Sequence, residues 1–476
     1  MSCITNALKT QTLLVELKEY EDVFLIKSVD KLLLHEDHDH AIEITAKSSY
    51  ESLYNLSNTE LATLRQYLDN VLAKEWIKHC VSSTDASILF ILKKNLYLSC
   101  MLSAVFLIWS ATFASTKIQD ADCNILSIPF GPKVLFTRSP TAIAPTNAER
   151  RAFSPFSSVT SSPNDSLCLC MNYRDLNKIT VKNHHSLSLI SETLDRLNKV
   201  KQFTKLNLKN AYHRFRIQRE DEWKTTFCTR YDHFKYMIML FDLINTSVIF
   251  QTYINKILTK LLNDFCVVYL NDILIFFVEK TDHVDHMKQI LNRLRKFKLY
   301  ASLKKCEFFI TKVNFLEFFI FIESISMNSS RIDIIKTWFR SKMYQKIQVF
   351  LKFVNFYRRF IHHYSQIAKS LTELLKDSVK DVKTNSFIWS SEAKQAFNQL
   401  RDVFMKVSIL RHFDSERHIH IEINAFNYAV ANILFQSDDE DQWHSIAFWF
   451  RMIIDVERNY ETHNQKLLII VAMFKH

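Results

Sequence analysis

Glycine is almost absent from this sequence: Gly131 is the only one in 476 residues. At the ordinary usage of roughly 7%, about 33 would be expected. Glycine supplies the positive φ angles that tight turns need, so an ordinary α/β protein cannot easily lack it. No glycine-rich βαβ nucleotide fingerprint is present. Proline is scarce too, with six in the whole chain. The nine cysteines form no C-x-x-C pair, and Cys168-x-Cys170 lacks a matching second pair. That spacing argues against structural zinc and for a reduced intracellular compartment, cytoplasmic or nuclear. No secretory signal opens the sequence, because residues 1–21 are mixed and polar.

What is present points to a folded chain. Hydrophobic residues make up 48% and charged residues 23%, which excludes wholesale disorder and allows a large core. The length suits two to four domains. A formal charge of +11 and a pI near 9.0 suit a polyanionic partner such as nucleic acid. Charge alone does not single that partner out.

Residues 1–45 read as a lead-in linker ending in His35-Glu36-Asp37-His38-Asp39-His40, either a metal-binding run or a solvated loop. Ser57 caps a helix with Glu60 at the capping-box position, and Leu61, Leu64, Leu68, Val71 and Leu72 form its apolar stripe. A strand is expected over 88–94, ending in the basic pair Lys93 and Lys94. The uncharged, mostly apolar run 96–116 is long enough to span a bilayer, and a Ser/Thr/Pro-rich stretch follows to residue 166. A membrane anchor and an insertion of foreign or unspliced sequence compete here. From residue 167 the pattern predicts helices over 190–199, 247–263, 283–299 and 389–403. Strands are predicted over 203–208, 234–240, 418–423 and 430–435, with a strand-turn-strand over 266–277. The implied architecture is α+β. No internal repeat is evident.

The turn Tyr269-Leu270-Asn271-Asp272 resembles the Tyr-x-Asp-Asp signature of a reverse transcriptase, with its first aspartate turned into asparagine. Further blocks extend the likeness: Asn172-Tyr173-Arg174-Asp175-Leu176-Asn177, Phe203-Thr204-Lys205-Leu206-Asn207-Leu208, Asp221-Glu222-Trp223-Lys224-Thr225, Asn355-Phe356-Tyr357-Arg358-Arg359-Phe360-Ile361 and Glu457-Arg458-Asn459-Tyr460. On these motifs the chain resembles the polyprotein of gypsy-type long-terminal-repeat retrotransposons, reverse transcriptase followed by the start of RNase H. The resemblance implies a right-hand fold with fingers, palm and thumb, then a truncated RNase H-like α/β segment. The divisions it implies are 46–95 and 167–332 for fingers and palm, 333–385 for thumb and connection, and 386–476 for the RNase H-like part. Residues 96–166 then read as an insertion, because the segments on either side belong together in the family.

The departures from the family share a direction. Glycines appear as Glu75, Asp232, Asp242, Glu317 and Ser324; prolines as Ser186, Ser188, Leu240, Ser329 and Ser370; aspartates as Asn172, Asn207, Asn271, Asn328 and Asn424. Glutamate becomes Lys235 and Lys466, and arginine becomes Cys168 and Cys228. Nearly all are single G-to-A or C-to-T codon changes, as in a gene decayed by cytosine deamination. That accounts for the missing glycine and proline.

The family's chemistry is two-metal nucleotidyl transfer, with three palm aspartates holding Mg2+. Here those positions are Asn207, Asn271 and Asp272, which leaves Asp272 as the one carboxylate metal ligand. Tyr212 matches the aromatic residue that excludes a ribose 2′-hydroxyl. Cys168 stands at the triphosphate-gripping arginine. Phe241 precedes Asp242 at a nucleotide-facing turn, where an anion should repel a triphosphate. Phe315 and Leu316 open the primer-grip turn, again followed by an anion, Glu317. Lys93 and Lys94 are either phosphate and template contacts or a solvated pair. In the RNase H part, Asn424 and Lys466 replace an aspartate and a glutamate, and the sequence stops before the later aspartate. The expectation is a copy without polymerase or nuclease activity, whose family partners are an RNA/DNA template-primer and deoxynucleoside triphosphates. A non-catalytic nucleic-acid binder and a membrane-tethered product through 96–116 are the alternatives. No specific protein partner is inferable.

Overall fold

The computed structural model describes residues 17–24, 32–36, 38–46, 55–82, 84–92, 167–183, 190–277, 283–341, 344–378, 389–406, 409–426, 429–452 and scattered positions between 460 and 471. The described residues divide into two compact units, one up to Leu316 and one from Glu317 onward.

The first unit is α+β. Helix α1 (Asn58–Ala73) opens with the expected capping box: the Ser57 side chain accepts from Glu60 N, and the Glu60 carboxylate accepts from Ser57 N at 2.8 Å. Leu64, Leu68 and Val71 of its stripe are buried, while Leu61 and Leu72 are partly covered. Strands β1 (Ile77–His79), β2 (Ile88–Leu92) and β3 (Leu167–Met171) follow, β2 and β3 pairing antiparallel from Ile88↔Met171 to Leu92↔Leu167. Helices α2 (Arg174–Ile179) and α3 (Ile190–Asp195) lead into β4 (Gln202–Asn207). Strands β5 (Phe227–Cys228) and β6 (His233–Tyr236) complete a sheet of order β1-β6-β5. Its core gathers α1 leucines with Trp76, Ile77, Phe227, Phe234 and Tyr236.

Helix α4 (Thr246–Leu258), strands β7 (Cys266–Tyr269) and β8 (Asp272–Phe277), helix α5 (His283–Lys296) and strands β9 (Glu307–Ile310) and β10 (Lys312–Phe315) form the rest of this unit. The sheet order β7-β8-β4-β9 puts β4 in the middle. Phe250 and Ile254 of α4 and Met287, Ile290 and Leu294 of α5 pack with Leu206, Val268, Ile273 and Ile275. Both helices bury one stripe against a sheet, which is why their 3.6-residue periodicity is readable.

In the second unit β11 (Phe318–Phe321) pairs antiparallel with β12 (Ser324–Met327). Helices α6 (Ser329–Lys336), α7 (Tyr344–Phe356), α8 (Tyr364–Ser378) and α9 (Ser391–Met405) follow, and then β13 (Leu410–Arg411), which joins β12. Strands β14 (Ile419–Phe426), β15 (Ala429–Ser437) and β16 (Trp443–Met452) make an antiparallel meander. Phe318 stacks on Phe356 and Phe360, and Phe350 packs on Phe397.

Several expectations need correction. Helix α3 stops at Asp195, ahead of a left-handed residue at Lys199. Helix α4 stops at Leu258, where Leu261 N turns back to Leu258 O at three-residue spacing ahead of a left-handed residue at Asn263. The strand expected over 234–240 ends at Tyr236. Beyond it Met237 and Met239 exchange hydrogen bonds with Ile217 and Phe215, as an isolated bridge region instead of a ladder. Strand β16 was not expected, since its run of Phe448, Trp449 and Phe450 breaks the two-residue alternation. The histidine-rich run is neither a metal cluster among the described residues nor a solvated loop: His38 lies on Tyr253 and Phe215, and His40 is buried, bridging to Ile217. No helix among the described residues is long and apolar enough to cross a membrane, and 96–116 lies outside them.

Candidate active site

Strands β7 and β8 are apolar almost throughout, so both are covered on each face, and the polar dipeptide between them has to be the turn. The loop is two residues long, Leu270 and Asn271, closed by the Tyr269↔Asp272 pair. Leu270 has φ 51°, the left-handed backbone that type II′ hairpins place at their first loop residue and normally give to glycine. A side chain from α4 holds it there. Gln251, itself buried, accepts from Leu270 N at 2.7 Å while its amide donates to Val268 O at 3.1 Å.

The β4–β8 register sets Asn207 directly opposite Asp272. The Asn207 amide donates to Asp272 Oδ1 at 2.6 Å. Lys205 lies two residues earlier, on the same face of β4, and its ammonium reaches Asp272 Oδ2 at 3.0 Å and donates to Asn314 O at 2.8 Å. Both oxygens of the single carboxylate are therefore engaged by protein donors. Asn271 O accepts from Leu208 N at 2.7 Å, and Asn271 Oδ1 is buried with no hydrogen-bond partner among the described residues. Glu307, across from Lys205 on β9, adds a carboxyl whose pKa is raised, by burial first. Tyr212 packs edge-on against Phe250. Burial pushes its phenol up to about 12, with the Asp272 charge adding a smaller rise.

A magnesium-class ion needs anionic oxygens in near-octahedral array. The facing set here is one carboxylate paired with Lys205, two amides, one of which turns its NH2 toward that carboxylate, and the Glu307 carboxyl beside the same lysine. These residues do not fit the two-metal site that the resemblance implies.

The other predicted positions are spread more widely. Phe241 is exposed, and burial pushes the neighbouring Asp242 up to about 6. Phe315 and Leu316 are buried, with left-handed backbone at Leu316 and again at Glu317. Cys168 lies on β3 opposite Ile91, and Asn424 on β14 opposite Ala431. Lys93, Lys94 and Lys466 lie outside the described residues. The structure thus brings Asn207, Asn271, Asp272 and Tyr212 together and adds Lys205, Glu307 and Gln251, none singled out from the sequence. The two-residue period from Asn207 was the available signal for Lys205. Glu307 and Gln251 come from separate elements and gave none.

Strand-turn-strand geometry at a central sheet, backed by α4, is that of a polymerase palm. Residues 166–320 match the family model for reverse transcriptase (RNA-dependent DNA polymerase), and 389–476 that for the RNase H-like domain found in reverse transcriptase. The chain belongs to the reverse transcriptases, with an RNase H-like domain following. Its lineage is that of gypsy-type retrotransposon Pol. Relatives include the Transposon Tf2-3 and Tf2-7 polyproteins of Schizosaccharomyces pombe, each 31% identical over 310 residues. That alignment covers 65% of this chain, and the chain spans only 23% of those relatives' length. Among solved structures, the foamy viral protease-reverse transcriptase in complex with RNA/DNA hybrid matches with a TM-score of 0.67 and 16% identity, over 98% of this chain and 53% of that one. The same viral protein in complex with dsDNA gives 0.68 and 15%, over 98% and 81%. At these identities the likeness establishes the right-hand reverse transcriptase fold.

Proposed function

We propose that this chain is, by descent, the RNA-directed DNA polymerase and RNase H part of a retrotransposon polyprotein, and that this copy does not polymerise. The observation that carries the reading is the occupation of Asp272. Asn207 and Lys205 hold both of its oxygens, so a metal would have to displace protein donors to reach that carboxylate. Nucleotidyl transfer in this family depends on metal charge to activate the 3′-hydroxyl and neutralise the leaving pyrophosphate. Two amides and a carboxylate paired with Lys205 cannot supply that charge. Tyr212 keeps the sugar-facing aromatic surface. Asp242 sets a partly buried carboxyl at the proposed nucleotide turn, where it works against a triphosphate. The polyanion this basic chain would retain is the RNA/DNA template-primer.

Primer extension by the purified full chain, with Mg2+ or Mn2+, tests the proposal. No template-dependent incorporation above a protein-free control is expected. Clear incorporation with either metal would overturn it.

A further inference from the structure

A second cluster of chemically distinct side chains lies away from the palm, on the β1-β6-β5 sheet. Cys228 and His233 form a direct cross-strand pair between β5 and β6. Asp85 is brought to them by backbone. Ala86 bridges in parallel to Phe227, with Ala86 N donating to Thr226 O at 2.9 Å and Cys228 N to Ala86 O at 3.2 Å. His233 Nδ1 lies 3.2 Å from Asp85 Oδ1, and its Nε2 lies 3.5 Å from Cys228 Sγ. One donor atom from each of the three residues falls within 4.8 Å of the others.

Two features point to a ligand. The Asp85 side chain has no solvent exposure, yet its Oδ2 is buried and accepts no hydrogen bond among the described residues. A buried carboxyl with one oxygen on His233 and the other unpartnered has a position open for a cation. The thiol–imidazole spacing is also informative: Zn–S near 2.3 Å and Zn–N near 2.0–2.1 Å at a tetrahedral angle set the two donor atoms about 3.5 Å apart, as Sγ and Nε2 are, while Asp85 Oδ1 meets the other ring nitrogen, so a shared ion needs a turn of the Asp85 carboxyl.

We propose that Asp85, Cys228 and His233 bind a divalent transition-metal ion, Zn2+ by the softness of the donor set, with water in the fourth position. His233 is 38% exposed along its side chain and leaves a route from solvent. A thiol, an imidazole and a carboxylate in a row could instead activate a nucleophilic cysteine. Cys228 is only 4% exposed, which leaves an organic substrate no approach to sulfur, whereas a single ion needs little room. The metal would tie the segment before β2 to the β5–β6 hairpin. Since Cys228 stands where the family resemblance implies arginine, the site belongs to this chain's own divergence.

Zinc alone is the probe. The purified full chain, stripped of metal, should take up one equivalent of Zn2+ in competition with a chromophoric chelator. Co2+ in its place should give thiolate charge-transfer absorption with tetrahedral ligand-field bands. Cys228→Ser and Asp85→Asn should lose that equivalent, and Cys306→Ser should keep it. Cys228→Arg, the residue the resemblance implies, serves as the control where it melts cooperatively: Zn2+ should raise the melting temperature of the unsubstituted chain and leave that of Cys228→Arg unmoved. Absence of a bound equivalent would overturn the proposal. So would zinc uptake insensitive to Cys228→Ser, or a melting temperature that zinc does not raise.

Discussion

Positions where the resemblance implies glycine divide by backbone conformation. Glu75 and Glu317 adopt φ of 57° and 69°, whereas Asp232, Asp242 and Ser324 are not left-handed. A side-chain-bearing residue in that region costs about 1–2 kcal/mol. Glu75 is exposed, so Glu75→Gly should stabilise the fold by about 1 kcal/mol in denaturant titration. Glu317→Gly should not. Its carboxylate is the partner of the buried Arg331 guanidinium, with Nε at 2.9 Å, and leaving that charge unpaired costs about 3 kcal/mol, more than the backbone regains. Asp242 supplies a pH signature. Burial puts its carboxyl at about 6, above the ordinary 3.8, so the folded state holds this proton more tightly than the unfolded chain. The stability it contributes is full below about pH 4 and is lost as pH rises through about 6. Asp242→Asn should therefore be near neutral at pH 4 and stabilise by about 2 kcal/mol at pH 8, as read from melts at the two pH values. Some replacements are nearly silent: Asn328 still caps α6, accepting from Ser330 N at 3.1 Å, because asparagine and aspartate cap about equally.

Among the elements, the β4–β8 pair concentrates the consequences. Restoring aspartate at 207 and 271 would place a carboxylate directly opposite Asp272, and like charges across a strand pair cost up to about 1 kcal/mol. Without metal, Asn207→Asp/Asn271→Asp should melt below the unsubstituted chain, and Mn2+ should reverse the loss with bound ion visible by electron paramagnetic resonance. Failure of Mn2+ to bind the restored pair would show that Lys205 or the backbone, and not the missing carboxylates, closes the site. Primer extension should stay absent in this double variant, because Cys168, Asp242 and Glu317 remain. The hairpin itself was legible in advance, since two apolar runs around one polar dipeptide allow few alternatives. So was the start of α1, where Ser57 and Glu60 act within four residues. Helix ends at Asp195 and Leu258 were not, because backbone turning there depends on left-handed residues and hydrogen bonds that composition does not mark. Ser370 shows the converse: α8 runs through it without interruption, at a position where proline would remove a donor and break the helix.

For the molecule as a whole, the proposed template-primer partner and the +11 formal charge together predict binding that is electrostatic and sequence-independent. The full chain should bind a labelled RNA/DNA primer-template at low salt, with log affinity falling linearly against log salt; a salt-insensitive affinity, or none at low salt, would remove nucleic acid as a retained partner. Motif spacing by itself determined the lineage and the palm hairpin, because those follow from residue identity at fixed offsets along the chain. Tertiary structure decided what occupies Asp272, which glycine positions are truly left-handed, and that Asp85, Cys228 and His233 meet. Those outcomes rest on strand register and side-chain distance between residues far apart in sequence, where no local pattern carries the information.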